Sequence, residues 1–515
     1  MPTLTDKNLH RTIRLSAIRK RLVADGLSVD GSCLADIDVK RVVFDSREVR
    51  PGDCFVAIRG GTADGHMFLD DAIQNGAVVI VCEVVSKRCD EELSSVACIR
   101  VSDGRRALLS LASDFYGNPG DDLTMIGTTG TNGKTTVATL VSHVLDAVDI
   151  PCGFIGTTEY SFRQIKYSAS ATTPPPTEVY RLLAEMKMDG AKACSMEVSS
   201  HALDQHRVQA SDFNVGVFTN LTRDHLDYHR TESEYLAAKK RLFDGLMATS
   251  TAVVNAGDPF SKAIVADTEA RCLTYGVADG VDIRYKILSD DSTGLNLFLD
   301  GQNASFRLSG AFNADNLAAA YGAGIGLGIE SDRLIAALSE APAVRGRFEL
   351  IPATRGRSVI IDYAHTPDAL KNVLIEARLR TPSDARLWCV FGCGGDRDKG
   401  KRPLMGEIVS RLADCVVITD DNPRNENSAG IISDILSGIQ DQSNVTCETD
   451  RGDAIKFAAR ESGPGDIILI AGKGHETVQI IGQVSHPFDD LSTARHAFGS
   501  VPEAGNIDLA GEEQR

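Results

Sequence analysis

The chain has 515 residues, with 71 acidic against 54 basic side chains, a formal net charge of -17, 43% hydrophobic residues and 24% charged ones. That length exceeds what one hydrophobic core organises and predicts three or four domains at roughly 150 residues each. The acidic balance excludes a nucleic-acid binder, which needs a broad basic face, and no stretch approaches the about 18 apolar residues of a spanning helix.

The N-terminal 1–27 segment is basic but lacks an apolar run of signal-peptide length, so a cytoplasmic protein without membrane insertion is expected. Its 12 cysteines are scattered singly from Cys33 to Cys447, with no Cys-x-x-Cys pair, and read as reduced, buried thiols rather than disulfides or a zinc site. Cys389 and Cys393, the nearest pair, read as part of a strand and its loop. Between 42 and 85, short apolar runs (55–58 and 77–82) alternate with Gly-rich turns, as in a small α/β unit closed by an amphipathic helix over 105–116. The turn-rich Asn118-Pro119-Gly120-Asp121 ends this first domain, 1–121.

A strand at 123–126 then leads into Gly127-Thr128-Thr129-Gly130-Thr131-Asn132-Gly133-Lys134-Thr135-Thr136. The helix that follows places Val137, Leu140, Val141, Val144, Leu145 and Val148 on one face. This second domain, 122–342, ends near Pro342, and Arg345-Gly346-Arg347 reads as a linker into a third, 343–515. There, four strand-like runs (359–362, 387–391, 416–419 and 467–471) each end in a polar loop and alternate with helical patterns. They predict a doubly wound parallel sheet that binds ligands at the carboxyl ends of its strands. No internal repeat is visible, and the Gly- and Glu-rich tail after Phe498 reads as disordered.

Three groups of residues carry chemistry. In the glycine-rich loop, backbone amides can surround a polyphosphate, Lys134 can reach its terminal phosphates and the Thr135 hydroxyl can bind magnesium, a design suited to ATP. The loop departs from the strict pattern because Thr128 occupies the first glycine position, with Gly127 one place earlier. Glu197, in Met196-Glu197-Val198-Ser199-Ser200-His201, and His225, in Thr222-Arg223-Asp224-His225-Leu226-Asp227-Tyr228-His229, each follow an apolar run. Each alone reads more often as structural; their clustering reverses this and makes them candidate magnesium ligands. The 235–243 helix carries Lys239, Lys240 and Arg241, which by residue chemistry alone read as a solvated basic face.

Gly-Thr-Asn-Gly-Lys-Thr-Thr, Glu-Val-Ser-Ser-His, Asp-His-Leu-Asp-Tyr-His, Asp-Tyr-Ala-His-Thr-Pro and Gly-Lys-Gly-His-Glu, in this order, closely resemble the Mur ligase family from about Val42 to about Arg495. The resemblance implies three α/β domains: a small UDP-binding one, a central P-loop ATPase-like one and a C-terminal Rossmann-like one. It implies that Phe44, Ser46, Gly61, Thr62 and Ala63 contact a UDP-sugar, and that Thr172, Thr173, Ser199, Gln205 and Arg207 hold the sugar-peptide portion. Phe44 reads equally as core, and Ala171 stands where some relatives carry a substrate-contacting Asn. Lys239 aligns with a lysine that the family carbamylates with CO₂, which would make it an anion able to approach Mg²⁺ beside Thr135, Glu197 and His225. The nucleotide loop residues are Gly130, Thr131, Asn132, Gly133, Lys134, Thr135 and Thr136. Asn316, Arg347 and Asp362 correspond to adenine-nucleotide contacts, with His365 as a possible support; their position on both sides of the linker suggests that domain closure completes the site.

Asp421-Asn422-Pro423-Arg424 resembles the motif of members that accept meso-diaminopimelate, with Arg397, Gly472 and Glu476 as further contacts. A guanidinium can hold the second carboxylate of diaminopimelate through two parallel hydrogen bonds; with L-lysine it would stay unpaired, at a penalty of about 1–3 kcal/mol. The implied reaction activates the D-Glu γ-carboxylate of UDP-N-acetylmuramoyl-L-Ala-D-Glu with ATP and Mg²⁺ as an acyl phosphate, which the amine attacks in making a peptidoglycan precursor. A monomer is expected. Alternatives are a lysine-adding ligase on the same nucleotide, a folate ligase, or a phosphate-loop kinase or regulatory ATPase. Arg424 argues against the first, the UDP-domain segment against the second, and the third would need neither a lysine carbamate nor an amino-acid clamp.

Overall fold

The computed structural model describes residues 12–27, 36–61, 63–84, 96–291 and 294–499. Thr62, Cys33 and the tail beyond Gly499 lie outside them. The chain divides into two compact units: Met1–Asn220 with Leu236–Arg284 and Leu317–Leu338, and Leu221–Tyr235 with Tyr285–Asn316 and Ser339–Arg515. The regions expected as first and second domains thus share the first unit for most of their length.

Besides the short antiparallel pair Ile13–Arg14 with Asp38–Val39, the first unit holds two larger sheets. In one, four parallel strands neighbour each other in the order Val42–Val43, Asp53–Val56, Ala77–Cys82 and Ala97–Arg100. The Ala77–Cys82 run is apolar throughout because both of its faces are buried. Val79 and Val81 pack with Leu15, Ile18, Leu108 and Leu111 of the helices Leu15–Ala24 and Gly104–Phe115. Ile80 and Cys82 pack with Leu69 and Ala72 of the helix Leu69–Gln74.

The other sheet runs in parallel through Cys152–Ile155, Ala193–Glu197, Thr124–Thr129, Val215–Phe218, Thr251–Asn255 and Arg271–Gly276. Thr124–Thr129 is central and leads into the phosphate loop, and the helix Lys134–Ala147 buries the predicted face from Val137 to Leu145. An antiparallel hairpin, Glu159–Phe162 with Ile165–Ser168, adds to the Cys152–Ile155 edge.

In the second unit a six-stranded sheet has the order Glu349–Pro352, Ser358–Asp362, Ile467–Ala471, Leu387–Phe391, Cys415–Ile418 and Val445–Cys447; all pairs but the first are parallel. The four strands expected from apolar runs are present within one residue of their predicted ends. Ile360, Cys389, Ile418 and Leu469 pack against Leu370, Val373, Met405 and Ile435, while Val359, Val390 and Ile468 pack against Ile455, Ala458 and Phe498. Helices therefore cover both faces, the doubly wound arrangement. Residues 285–291 pair with Gly294–Leu299, which pairs with Gln302–Phe306, all antiparallel.

The described cysteines are free thiols and most are buried, but Cys272 and Cys447 are exposed, contrary to the expectation of uniform burial. Both lie near the end of a strand, where side chains meet solvent. Among the described residues no helix is long and apolar enough to cross a membrane.

In the first unit, the Tyr180 hydroxyl on the helix Pro176–Met188 donates to Asp212 (2.8 Å), and burial pushes the Asp212 carboxyl up from 3.8 to about 6. A raised folded-state value means the folded protein keeps a proton that the unfolded chain releases, so stability falls as pH rises from about 4 to about 6. Asp212→Asn keeps an acceptor for Tyr180 and cannot ionise. Urea unfolding should show it matching the wild type below about pH 4 and exceeding it by on the order of 1–3 kcal/mol above about pH 6. A pH-independent difference would contradict this assignment.

Candidate active site

The phosphate loop is shaped by backbone geometry and by one neighbouring strand end. Gly130 has φ 152°, and a Cβ there would sit 1.8 Å from Thr219 Oγ1, so a side chain is excluded. Gly133, at φ 85°, immediately precedes the helix Lys134–Ala147, whose first amides are left to face a ligand. Thr131 N donates to Asn220 O (2.8 Å) and Asn132 N to Asn220 Oδ1 (2.9 Å), while the Thr219 hydroxyl donates to Asn132 O (2.6 Å). Lys134 Nζ curls over the loop, donating to Gly130 O (3.0 Å) and Thr131 O (2.8 Å). Thr136 is buried beside it. Asn220 and Thr219, just past the end of the strand Val215–Phe218, hold the loop in shape.

Glu197 ends the strand Ala193–Glu197 with no solvent exposure. Its Oε2 accepts from the Thr135 hydroxyl (2.9 Å) and the Thr157 hydroxyl (3.1 Å), and its Oε1 from Thr157 N (2.8 Å). The Thr157 hydroxyl also lies 3.0 Å from that of Thr172. Thr173 Oγ1 donates to the Glu197 carbonyl (2.7 Å) and accepts from Ser199 N (3.1 Å). Arg207 donates to Thr173 O (2.6 Å) and Gln205 Oε1 (2.8 Å). Thr135, Glu197, Thr172, Thr173, Ser199, Gln205 and Arg207 thus form one hydrogen-bonded network, with Thr157 as an unforeseen member. The Ala171 side chain adds no polar group, and the buried Tyr160 hydroxyl fixes its backbone instead, lying 3.0 Å from its N and 2.6 Å from its O.

Ser46 and Phe44 lie just past the strand Val42–Val43 of the other sheet, and Gly61 and Ala63 in the loop after Asp53–Val56. Phe44 packs against the core there, in keeping with its structural reading.

The basic run on the helix Glu232–Asp244 is not a solvated face. Lys239 is 1% exposed, and its Nζ donates to Gly130 O (2.7 Å), whereas Lys240 pairs with Asp244 and Asp267, and Arg241 with Asp204. Among the described residues no three His, Cys, Asp or Glu side chains group as a ready metal cage. The donor set suits magnesium, which takes one or two carboxylates and completes its shell with phosphate and water: here the Glu197 carboxylate and Thr135 hydroxyl stand 2.9 Å apart.

His225 belongs to the second unit. It sits at φ 54° with its Nε2 3.3 Å from Asp224. Burial opposes charge on Asp224, but His225, His365 and Lys401 outweigh it and hold the carboxyl below its ordinary range. The Arg347 guanidinium lies over the Tyr363 ring (4.5 Å), and Asp362 accepts from Phe348 N and Ala364 N (both 2.7 Å). Burial raises Asp362 to about 6 against the opposing Arg347 charge. Asn316 is buried and donates to Asn313 Oδ1 (2.8 Å), near the start of a helix whose Phe312 packs edge-on to Phe348 (5.5 Å). His365 Nδ1 meets Tyr363 O (2.9 Å), and burial lowers its pKa.

Four strand ends of the second unit converge on the remaining residues. A Cβ on Gly394 would lie 3.0 Å from Arg424 Nη1 and 3.6 Å from the Arg397 stem; one on Gly472 would lie 2.6 Å from Asp421 Oδ2. Arg424, at φ 51°, donates through Nη1 to Gly395 O (2.9 Å), and its backbone pairs with the hairpin Val478–Ile481 and Val484–Pro487 through Arg424 N to Ile480 O (3.1 Å). Burial and then Arg397 depress its pKa. Asn422 Nδ2 donates to Glu476 Oε2 (2.9 Å), and Pro423 is buried behind them. Tyr363, Lys401 and Lys473 were not foreseen; Lys401 opens the helix Lys401–Leu412 outside any motif, whereas Tyr363 and Lys473 fall within motifs that gave them no role of their own.

Residues 38–116 match the model of the Mur ligase family catalytic domain, 128–324 that of the Mur ligase middle domain and 346–474 that of the Mur ligase glutamate ligase domain. The UDP-N-acetylmuramoyl-L-alanyl-D-glutamate–2,6-diaminopimelate ligase of Cytophaga hutchinsonii is 43% identical over 467 residues, covering 90% of this chain and 95% of the relative. The ligase of the same name from Geobacter metallireducens is 39% identical over 502 residues, covering 92% and 97%. A solved structure bearing this name superposes with a TM-score of 0.66 at 32% identity, covering 95% of this chain and 99% of that one.

Asn220→Ala removes two side-chain bonds that shape the loop, from Asn132 N to Asn220 Oδ1 (2.9 Å) and from Asn220 Nδ2 to Asn132 O (3.2 Å). With about 1 kcal/mol each at stake, ADP binding measured by calorimetry should weaken roughly ten- to a hundredfold in a folded protein; an unchanged Kd would contradict the assignment.

Proposed function

The chain belongs to the Mur ligase family, and we propose that it is the member that joins meso-2,6-diaminopimelate to the D-Glu γ-carboxylate of UDP-N-acetylmuramoyl-L-Ala-D-Glu, forming ADP and phosphate, in peptidoglycan precursor synthesis. The observation that carries this reading is the Arg397–Arg424 pair at the strand ends of the second unit. Among the described residues no carboxylate lies within ion-pair distance of either guanidinium, so a ligand carboxylate has two cations to meet.

A carboxylate resists amines, so the γ-phosphoryl group of ATP passes to the D-Glu carboxylate first. The amine then attacks the acyl phosphate, and phosphate leaves. In this reading the Thr131–Thr136 amides and Lys134 bind the phosphates, and Asn316, Arg347 and Asp362 bind the adenine nucleotide. Thr172, Thr173, Ser199, Gln205 and Arg207 hold the sugar-peptide end beside Glu197, and Phe44, Ser46, Gly61, Thr62 and Ala63 the UDP end. Arg397, Asp421, Asn422, Pro423, Arg424, Gly472 and Glu476 receive diaminopimelate, with the Glu476 carboxylate for its distal ammonium. Magnesium, held by Thr135, Glu197 and, for a second ion, His225 and a carbamate of Lys239, would neutralise the charge of two approaching anions. The buried position of the Lys239 amine beside the phosphate loop supports the carbamate: burying charge is costly, and CO₂ would convert the ammonium there into an anion that a magnesium ion could pair.

The same reading includes three domains, 1–121, 122–342 and 343–515, supported by the ranges that the three family models match, and a cytoplasmic monomer that neither enters a membrane nor binds nucleic acid.

With ATP, magnesium and UDP-N-acetylmuramoyl-L-Ala-D-Glu, phosphate release should be at least about tenfold faster per unit kcat/KM with meso-diaminopimelate than with L-lysine, and equal rates would overturn the Arg424 assignment. Lys239→Ala should lose at least about a hundredfold in kcat and recover part of it with added short carboxylic acids; full activity without them would remove Lys239 from the site.

A further inference from the structure

Lys473 lies two residues past the strand Ile467–Ala471 and its side chain has no solvent exposure. Its Nζ donates to Asn422 Oδ1 (3.0 Å) and Glu476 Oε2 (2.8 Å). Both acceptors belong to the proposed amino-acid pocket. Asn422 Oδ1 also accepts from Ile480 N (2.9 Å), and the Asn422 carbonyl accepts from Gly395 N (2.9 Å). One buried cation therefore fixes the loops after three strands and the hairpin that carries Ile480. A buried charge is tolerated only when paired and hydrogen-bonded, and Glu476 supplies the pairing.

The pairing also sets the charge that a ligand meets. Glu476 Oε2 is committed to Lys473 and Asn422, leaving Oε1, which receives only a long bond from the Tyr363 hydroxyl (3.5 Å), for a ligand ammonium. The neighbouring Arg451 is neutralised by Asp490 (2.7 Å). What remains is Arg397, Arg424 and Lys473 against Asp421 and Glu476, one cation in excess.

We propose that Lys473 is a positioning and specificity-determining residue: by cancelling the Glu476 charge and fixing Asn422, it keeps the pocket net positive, favouring an amino acid whose distal centre bears a carboxylate beside its ammonium over one bearing an ammonium alone. The inference rests on the diaminopimelate reading.

Wild type, Lys473→Gln and Lys473→Arg are compared by kcat and KM for meso-diaminopimelate, L-lysine and ATP. Lys473→Gln keeps a hydrogen-bond donor and loses the charge. Its KM for diaminopimelate should rise about tenfold and its kcat/KM ratio should shift at least about tenfold toward L-lysine, with the KM for ATP within about twofold. Lys473→Arg should restore most of the selectivity. An unchanged ratio in Lys473→Gln, a parallel rise in both KM values, or Lys473→Arg behaving like Lys473→Gln overturns the proposal. Where Lys473→Gln does not fold by circular dichroism, Asn422→Asp replaces it: the added carboxylate cancels the excess charge in place and must shift the ratio the same way, and an unshifted ratio overturns the proposal. A wild type inactive with diaminopimelate would sink the functional reading itself, a result distinct from wild-type selectivity that survives loss of the Lys473 charge.

Discussion

A carboxylate with no solvent exposure, at the end of a parallel strand, is the constraint on which the catalytic half of the first unit depends. A buried carboxylate needs hydrogen-bond donors, and the protein supplies Glu197 with three, from the Thr135 and Thr157 hydroxyls and from Thr157 N. Each donor fixes something else. Thr135 is in the first turn of the phosphate-loop helix, so its bond sets that helix start against the strand end. Thr157 follows a glycine whose Cβ would lie 2.5 Å from Glu197 Oε1, so the turn must be bare for the carboxylate to fit. The carbonyl of the same glutamate accepts from Thr173, and through Thr173 the constraint reaches Arg207. In the proposed reading, phosphate handling and substrate handling are consequently parts of one network rather than two sites that happen to be neighbours.

What the sequence revealed follows from how far its patterns reach. The strands at 359–362, 387–391 and 467–471 were legible because helices bury both of their faces, which makes each a continuous apolar run with a polar loop after it. The phosphate loop was legible because its glycines answer to backbone geometry, which leaves a fixed local spacing. Edge elements were not: the hairpin Glu159–Phe162 with Ile165–Ser168 and the antiparallel strands over 285–306 alternate polar and apolar residues over short lengths. Nor were Thr157, Asn220 and Lys473, single polar side chains acting on partners 40, 88 and 51 residues away, a separation over which no periodicity informs. Lys239 is different. Tyr235, Ala238, Leu242 and Phe243, all buried, place position 239 on the inward face of its helix at spacings of three and four, so its burial was readable once charge was set aside.

The second unit separates two uses of arginine. Arg402, 1% exposed, bonds to Glu426, Asp434 and Gly394 O, and Arg451 is enclosed with Asp490 while donating to Ala471 O (2.9 Å). Such guanidiniums are paired with carboxylates and carbonyls of the fold, and their work is to hold loop backbone in place. Arg424 is held differently: its backbone is pinned to Ile480 and Gly482 (3.1 and 2.8 Å) and its side chain to a carbonyl, and beside Arg397 no carboxylate among the described residues ion-pairs with it directly.

Two like charges brought together and partly buried oppose folding, and burial followed by Arg397 accordingly depresses the pKa of Arg424. A loop free to relax would turn the side chain to solvent. It does not, because Arg424 sits at φ 51° in a backbone clasped by the hairpin, and because Gly394 and Gly395 leave no Cβ in its way: at Gly395 one would fall 1.9 Å from Pro423 O. The Asp421 and Glu476 carboxylates offset part of that repulsion, and in the proposed reading the distal carboxylate of the ligand offsets more. In that reading a lone ammonium adds no such relief, so the fold of the loop itself favours a carboxylate-bearing amino acid.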